Sequence, residues 1–513
     1  MKTLRTLKNN TAILRTLILT LFFLGLIFSL SANSTAGSPQ NEPANRIALS
    51  IDRSDNTSLT TEQFNQIREI GIDMLEISFP ASIRRSDLEQ FYLLLDSNQH
   101  FVTEYEAKNN RELLVNSIQT MYSLVPNQLR DNIAAIKVFN YPADYRSAFP
   151  ASSDSLLTDL FTSIEKPFYY QSAFSEPEFP VQQVDFFASR VRVQPDSLIT
   201  ASSTVILFEP ENDPVASLQT LETIFKQTAT QPESLVIIPA DWFLSRVESQ
   251  ASFSTIISSY LDGESVHFPM PEPSPDSPAP NWPIILLLLI WASYLLHYKY
   301  QPMYKATLPR YFFYHSFFIH DVQQHRIRNT TPGVIVLLQH TLITGFFFYL
   351  LSDSFISNMG LESLSYHYPA LFYSGFEKVS IFVIGLLIAF ISHILSVAWL
   401  YLPNKKLEQL NQVINLYSWP FHINLIVVTF AVYFIQIEAA QSWTIATAIL
   451  YFFFWFAGFI FAAADSARFL QKYRVLNLFL TVGLYFLLIT AIIVLALWLP
   501  MIYQPIEMAF MLP

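Results

Sequence analysis

The chain has 513 residues, more than one ordinary domain needs, and its 51% hydrophobic content and mean hydropathy of +0.31 are typical of a membrane protein. Residues 1–281 hold 19 basic and 33 acidic side chains, against 11 and 8 in residues 282–513. The acidic first part argues against nucleic acid as a partner, because phosphates need a basic surface. The sequence contains no cysteine, which excludes disulfides, thiolate metal sites and cysteine nucleophiles.

Residues 1–32 form a predicted leader. A basic start is followed by an apolar run at residues 12–30 and then by small residues, a pattern typical of a secretory signal peptide. The apolar run is long for a signal peptide, so an uncleaved N-terminal anchor is the alternative. Both interpretations export the domain that follows, residues 33–265.

Short β-rich runs alternate with amphipathic helical stretches between Arg46 and Gly263. The eight runs are residues 47–52, 72–80, 100–107, 133–140, 167–174, 184–193, 204–210 and 235–243. The alternation predicts an α/β fold, a TIM-barrel-like (β/α)8 domain. The gaps after the fifth and sixth runs are too short for full crossover helices, so we expect a partly reduced barrel. An open doubly wound sheet is the alternative.

Functional side chains of a barrel lie at the carboxyl ends of its strands. In this sequence those positions hold carboxylates, amides and aromatic rings, which bind the hydroxyls and stack on the faces of sugars. The predicted ligand-binding residues are Asp52, Asn140, Tyr141, Tyr170, Glu211, Asp241 and Trp242. The alternative for each is structural: Asp52 and Glu211 as turn caps, for example, and Trp242 as a core residue. No Gly-rich phosphate turn is present, which argues against a nucleotide ligand.

Asn140, Glu209 and Trp242 stand at positions where retaining (β/α)8 glycoside hydrolases carry functional residues, and residues 33–265 resemble that clan. The resemblance implies Glu209 as the nucleophile that ends strand seven. It also implies an acid/base residue directly after Asn140, where this chain has Tyr141 instead.

Retaining hydrolysis needs two carboxyl groups about 5–5.5 Å apart. Glu104 or Glu106, at the end of the third predicted strand, is the candidate replacement for the missing acid. We therefore expect the domain to bind a glycan or an envelope protein partner without hydrolysing it. A membrane-tethered glycoside hydrolase with Glu209 as the nucleophile is the alternative.

A Pro-rich segment, residues 266–282, separates the exported domain from the rest of the chain. Proline fixes φ and favours extended polyproline II, so the segment is predicted to be a semi-rigid stalk.

Residues 283–513 are predicted to be an all-α membrane domain with six spans in the lipid bilayer. The spans are about residues 283–298, 334–352, 379–402, 418–437, 442–464 and 475–499. Basic loops alternate with acidic ones, and the positive-inside rule places the acidic loops and residues 33–281 on the extracytoplasmic side. The predicted location is a bacterial inner membrane.

His340, His393 and His422 fall inside the second, third and fourth predicted spans, with Asn424 and Asp465 at similar depth. Polar groups in lipid usually face the interior of a bundle, so a metal, haem or proton site is one interpretation. Hydrogen bonding between helices is the other. Because no paired His spacing occurs, neither a metal nor another cofactor is predicted. A transporter or sensor built on these six helices is the third functional hypothesis.

The fourth span and the polar segment before it, LEQLNQVINLYSWPFHINLIVVTFAVYF, resemble Yip1-like helical bundles in layout, including a proline at position 420. This resemblance implies a helical scaffold and no particular chemistry.

Overall fold

The structure is a computed structural model, and it describes residues 45–51, 59–79, 83–97, 101–140, 149–161, 163–172, 184, 186–191, 205–210, 214–228, 234–264, 266–269, 281–373, 375–402, 407–437, 439–469 and 474–512. The predicted leader lies outside these residues. The described chain contains an α/β domain followed by a helical region with six long apolar helices.

The strands and helices of the first domain alternate along the chain. The strands are β1 Asn45–Ile51, β2 Met74–Ser78, β3 Tyr92–Asp96, β4 Ile133–Asn140, β5 Phe168–Ser172, β6 Phe186–Val191, β7 Val205–Phe208 and β8 Ser234–Pro239. The helices are α1 Thr61–Glu69, α2 Arg85–Leu88, α3 Glu104–Asn109, α4 Arg111–Leu124, α5 Asn127–Arg130, α6 Phe149–Phe161, α7 Pro214–Thr228, α8 Ala240–Ser249 and α9 Ala251–Leu261.

The eight strands form one parallel sheet in chain order. Each strand pairs with the next, and β8 pairs with β1 from Asn45↔Ser234 to Ser50↔Pro239, which closes the sheet. A doubly wound sheet would instead reverse its strand order part-way. Because all strands are parallel, their carboxyl ends meet at one face of the domain.

The third predicted strand, residues 100–107, was wrong. The third strand of the structure is β3, in a segment predicted to be helical, and helix α3 begins inside the predicted strand. The sequence T-E-Y-E at residues 103–106 is a capping box: the Thr103 side chain accepts from the Glu106 N–H, and the Glu106 carboxylate accepts from the Thr103 N–H at 2.9 Å. Such a box satisfies two helix-terminal donors, so it starts a helix where the apolar pattern alone indicated a strand.

The main core lies between the outer face of the sheet and its helices. Two residues of the predicted stalk belong to this core: Val266 and Phe268 are each 5% exposed, and the Phe268 ring lies 5.5 Å from that of Phe253. The described part of the segment therefore closes the domain, and residues 270–280 lie outside the described ranges.

The second region contains the six predicted spans. They are α10 Trp282–Tyr300, α13 Thr331–Phe355, α15 Glu377–Tyr401, α16 Leu410–Ser418 continued by α17 His422–Gln436, α18 Gln441–Ala467 and α19 Arg474–Trp498. A 3-10 turn, Trp419–Phe421, joins α16 to α17. Shorter helices lie between and after the spans: α11 Pro302–Phe313, α12 His315–Gln323, α14 Asn358–His367 and α20 Pro500–Met511.

Glycines let α13 and α15 approach closely. A Cβ atom on Gly385 would lie 3.2 Å from Gly345 Cα and 2.8 Å from the Phe348 side chain. Small residues allow this kind of backbone approach in membrane helices. His340 on α13 also contacts His393 on α15. From the first contact to the second the residue number falls along α13 and rises along α15, so the two helices run antiparallel.

Candidate functional sites

The side chains inside the closed sheet form two layers. The layer toward the amino ends of the strands is apolar and consists mainly of Ala48, Met74, Leu94, Ala135, Tyr169, Ala188, Val205, Leu235 and Ile237. The next layer contains four polar side chains, each two residues further along its strand: Glu76, Asp96, Lys137 and Gln171. Strand side chains alternate with a period of two, so both layers face the interior.

Lys137 is the centre of the polar layer. Its Nζ lies 2.7 Å from Glu76 Oε1 and 3.0 Å from Asp96 Oδ2, and Tyr169 donates to Glu76 Oε1 at 2.8 Å. The Lys137 and Glu76 side chains are 5% and 4% exposed, whereas Asp96 is 16% exposed. The cluster therefore reaches toward the carboxyl face of the sheet through Asp96, the last residue of β3.

The two carboxylates keep this lysine charged. Burial lowers the pKa of Lys137, but the negative charges of Asp96 and Glu76 outweigh burial and hold that pKa above its usual value. Burial and the Glu76 charge together raise the pKa of the Tyr169 phenol, which stays a hydrogen-bond donor. A lysine acts as a nucleophile only when neutral, so Lys137 is suited to organising charge and not to Schiff-base chemistry.

The sequence interpretation missed this cluster although a signal was present. Glu76 and Lys137 are single charges inside the apolar runs of β2 and β4. Charged side chains are almost never fully buried unless they are paired, so two such charges on nearby strands indicate an ion pair.

Only some of the residues predicted at the carboxyl ends of the strands lie there in the structure. Glu209 directly follows β7 and is partly buried, and Asn140 is the last residue of β4, as predicted. Tyr170 does not lie at the open end of the sheet as predicted. It is 1% exposed and packs in the core outside the sheet, because its neighbours Tyr169 and Gln171 face the interior. Asp52, Tyr141 and Glu211 lie outside the described residues.

Asp241 and Trp242 do not end a strand. Strand β8 stops at Pro239, and both residues lie in the first turn of α8. Asp241 is exposed, whereas the Trp242 ring packs 4.9 Å from Phe208 and 5.9 Å from Phe253. Trp242 therefore covers the core and keeps only part of its surface exposed.

Glu104 and Glu106 are also corrected, because both lie on α3 and not at a strand end. One carboxylate oxygen of Glu106 accepts from the Thr103 N–H and hydroxyl, each at 2.9 Å, and the other lies 3.5 Å from His367 Nδ1 of α14. Glu106 is thus a capping and docking residue, occupied on both oxygens.

Helix α3 docks the barrel on the helical region. The Tyr105 N–H donates to Gln504 Oε1 of α20 at 2.9 Å, and the Phe101 ring lies 6.0 Å from that of Tyr366. Three apolar residues of the helical region join the barrel's own core: Met359, Met508 and Leu512. The barrel therefore packs directly against α14 and α20.

Electrostatics favours the charged form of Glu106 in this interface. Burial raises the pKa of Glu106, but the hydrogen bond and charge of His367, together with the bonds from Thr103, outweigh burial and lower it below its usual value. Burial and the Glu106 charge raise the pKa of Tyr366 to about 12. The interface therefore contains one carboxylate charge that it stabilises.

A hydrogen-bonded chain crosses the interior of the helical region. Asn424 Nδ2 donates to His340 Nε2 at 2.8 Å, so His340 donates from Nδ1 to His393 Nε2 at 2.9 Å, and His393 donates from Nδ1 to the Tyr417 oxygen at 3.0 Å. Tyr451 lies at 3.3 Å from the same His340 nitrogen. All five side chains are at most 4% exposed.

This series of hydrogen bonds includes three of the five polar residues predicted inside the spans, and the other two have different partners. His340, His393 and Asn424 meet, whereas His422 bonds Tyr304 at 2.6 Å and Asp465 lies 2.9 Å from His315. Among the described residues no group of three or more His, Cys, Asp or Glu side chains is arranged to hold a metal ion. Tyr417 and Tyr451 were missed, because tyrosine counts as a hydrophobic residue in the composition pattern and gives no polar signal.

The chain was compared with protein-family models, curated proteins and solved structures, and none of them matches it.

Proposed function

We propose that this chain is an inner-membrane protein of the bacterial envelope whose TIM-barrel-like domain, on the extracytoplasmic side, binds a glycan or a partner protein without hydrolysing it. The closed parallel sheet and the polar layer under its carboxyl face support a binding site in the usual place for such barrels. The alternating loop charges support the orientation.

The Lys137 cluster carries the non-hydrolytic part of the proposal. A retaining hydrolase needs one carboxyl that can donate a proton and one that is free to attack. Here the same ammonium donates to Glu76 and Asp96, at 2.7 and 3.0 Å. Glu106, one of the two predicted substitute acids, is committed to the α3 cap and to His367. These carboxylates suit ligand hydroxyls and ligand cations better than acid catalysis.

Docking supports a role coupled to the membrane region. A barrel held only by a stalk would sample many orientations, whereas this one packs its first helix after β3 on α14 and α20. We infer that the ligand is met close to the bilayer.

The test uses the full chain in nanodiscs. Soluble peptidoglycan fragments and lipopolysaccharide core oligosaccharides are titrated by calorimetry, and aryl glycosides are offered as chromogenic substrates. We expect saturable saccharide binding that Asp96→Asn weakens about tenfold, the effect of about one lost charge-assisted hydrogen bond. The matched control is Glu62→Gln on exposed α1. We expect no aryl release; release that Glu209→Gln abolishes would establish the hydrolase instead.

A second candidate function, a transporter or sensor, is favoured by the His340–His393 chain. Polar side chains inside a bundle are costly and usually functional. This candidate predicts that replacing His340 or His393 in full-length protein changes solute flux or signalling while saccharide binding to the barrel is unchanged. If both replacements leave flux and signalling intact, the hydrogen bonds between His340 and His393 have only a structural role.

A further inference from the structure

The fourth span is interrupted inside the bundle. Helix α16 ends at Ser418, residues Trp419–Phe421 form a 3-10 turn, and α17 starts at His422. The turn lies about 14 Å along the axis from Leu410, at 1.5 Å per residue. The backbone keeps right-handed helical angles at Ser418, Trp419, Phe421 and His422. A short stretch of 3-10 helix inside an α-helix often marks a functional hinge.

Five rings surround this turn. Trp419 and His422 come from the interrupted span, Tyr294 and His297 from α10, and Tyr304 from α11. Their contacts are continuous, with ring centroids 4.0 Å apart for His297–Tyr304, 5.6 Å for Tyr304–Trp419 and 5.4 Å for Tyr294–His422. We call these five residues the ring cluster.

Two members of the ring cluster satisfy each other. His422 donates from Nδ1 to the Trp419 carbonyl at 2.7 Å, so its Nε2 accepts from the Tyr304 hydroxyl at 2.6 Å. The polar groups of His422 and Tyr304 are therefore used for structure.

The other three members each keep an unused polar atom. Within the described residues, the Tyr294 hydroxyl, His297 Nε2 and Trp419 Nε1 have no hydrogen-bond partner, although the three residues are only 6%, 5% and 1% exposed. Leaving such a group buried and unpaired costs free energy, because the group gives up its hydrogen bonds to water. Ser418 Oγ, directly before the turn, shares this condition. Buried polar groups that lack a protein partner are completed by water or by a ligand.

The unused atoms define the chemistry of the ligand. Trp419 Nε1 can only donate, so the ligand needs an acceptor. His297 Nδ1 donates to Gln339 Oε1 at 3.4 Å, which leaves Nε2 as an acceptor, so the ligand needs a donor too. A hydroxyl group supplies both, whereas an organic cation without an oxygen atom has no acceptor for Trp419. The described ring cluster carries no carboxylate or ammonium, which favours a neutral ligand.

We propose that the ring cluster is a binding site for a small neutral polyhydroxylated solute. The solute's hydroxyls bind Trp419 Nε1, His297 Nε2 and the Tyr294 hydroxyl, and its apolar faces lie against the rings. The site requires separation of the rings, which the 3-10 turn permits because it interrupts the regular hydrogen-bond ladder of the span. This proposal rests on the second candidate function, a transporter or sensor built on the helical bundle. It does not depend on ligand binding by the barrel.

The test is fluorine NMR of the full chain in nanodiscs, labelled with 5-fluorotryptophan. Glycerol, glucose and myo-inositol are the probes. We expect at least one of them to shift the Trp419 resonance saturably, while the resonance of Trp399, whose N–H already donates to Thr481 O at 3.0 Å, stays fixed. Trp419→Phe assigns the resonance, and Trp399→Phe is the matched control.

The affinity is then measured by calorimetry in Tyr294→Phe and Trp419→Phe, which keep the rings and remove one polar atom each. We expect each to raise the Kd about tenfold, the effect of one lost hydrogen bond, while Trp399→Phe leaves it unchanged. Asp96→Asn in the barrel should leave it unchanged as well, which separates this site from the barrel's. Absence of a saturable shift with all three polyols, equal movement of Trp399, or an unaltered Kd in both variants would mean that only water completes these groups and would overturn the proposal.

Discussion

The barrel and the helical bundle each contain a buried polar cluster, and the two clusters are stabilised in different ways. Inside the barrel, Lys137 is compensated by two opposite charges, Glu76 and Asp96. Inside the helical bundle, His340 and His393 are linked to Asn424 and Tyr417 by a one-directional series of hydrogen bonds between neutral groups. Charges near a solvated barrel mouth can be paired, whereas in a bilayer the desolvation of ions makes neutral donors and acceptors the less costly solution.

The sharpest test of this difference removes the barrel's cation. Lys137→Met leaves Glu76 and Asp96 buried without a counter-charge, so we expect a loss of about 3–5 kcal/mol in unfolding free energy. Denaturant unfolding of the full chain, followed by circular dichroism, measures the change. Lys226→Met is the control, because Lys226 pairs with Glu222 on the helix surface with half of its side chain exposed and should cost under about 1 kcal/mol. Equal effects for the two variants would contradict a specific role for the buried ion cluster.

A smaller effect is expected for the neutral chain. His393→Leu leaves the His340 Nδ1–H without an acceptor and the Tyr417 oxygen without a donor, which should destabilise the bundle by about 1–3 kcal/mol. Unfolding of the reconstituted protein in mixed micelles measures it, with exposed His320→Leu as the control. If His393→Leu lowered the unfolding free energy as much as Lys137→Met does, the hydrogen-bonded residues of the bundle would carry charge. The two clusters would then not differ in how they are stabilised.

The smallest effect concerns the docking interface that joins the two regions. Because the pKa of Glu106 is lowered in the folded protein, its contribution is complete above the usual glutamate pKa near 4.3 and is lost as the pH falls through the lowered value. The other titratable groups on the packed elements are Glu104, Tyr105 and Lys108 of α3, Glu362, Tyr366 and His367 of α14, Tyr368 directly after it, and Tyr503 and Glu507 of α20.

Amide hydrogen exchange in α3 should therefore rise a few-fold on acidification below about pH 4. Glu106→Gln removes the carboxylate, so the variant should exchange faster at neutral pH and lose this part of the pH response. Glu62→Gln, on exposed α1, should behave like the parent protein. An unchanged pH response in Glu106→Gln would assign the effect to another group of the interface.

Much of the architecture was predictable because it depends on local patterns. Seven of the strand predictions overlap observed strands, and the six spans agree with the observed helices. The third strand failed because the local capping box of Thr103 and Glu106 competed with an apolar pattern that suits a strand. This one error also removed two of the three predicted catalytic carboxylates from the strand ends.

The candidate sites were less predictable because they depend on which residues face each other. The inward position of Tyr169 and the outward position of Tyr170 follow from register and not from residue type. Trp242 was assigned to a ligand because it follows β8, but the chain had already turned into α8. The three bundle residues His340, His393 and Asn424 were found because polar groups are rare in apolar spans; their tyrosine partners were not.

The sequence by itself determined the division into an acidic α/β domain and six apolar helices, since hydrophobic period and segment length are read along the chain. The tertiary structure decided three further features: closure of the sheet by β1 and β8, the pairing of Lys137 with Glu76 and Asp96, and the docking of α3 on α14 and α20. Each joins residues distant in sequence, and the free energy of such contacts depends on burial and geometry that a linear pattern does not contain.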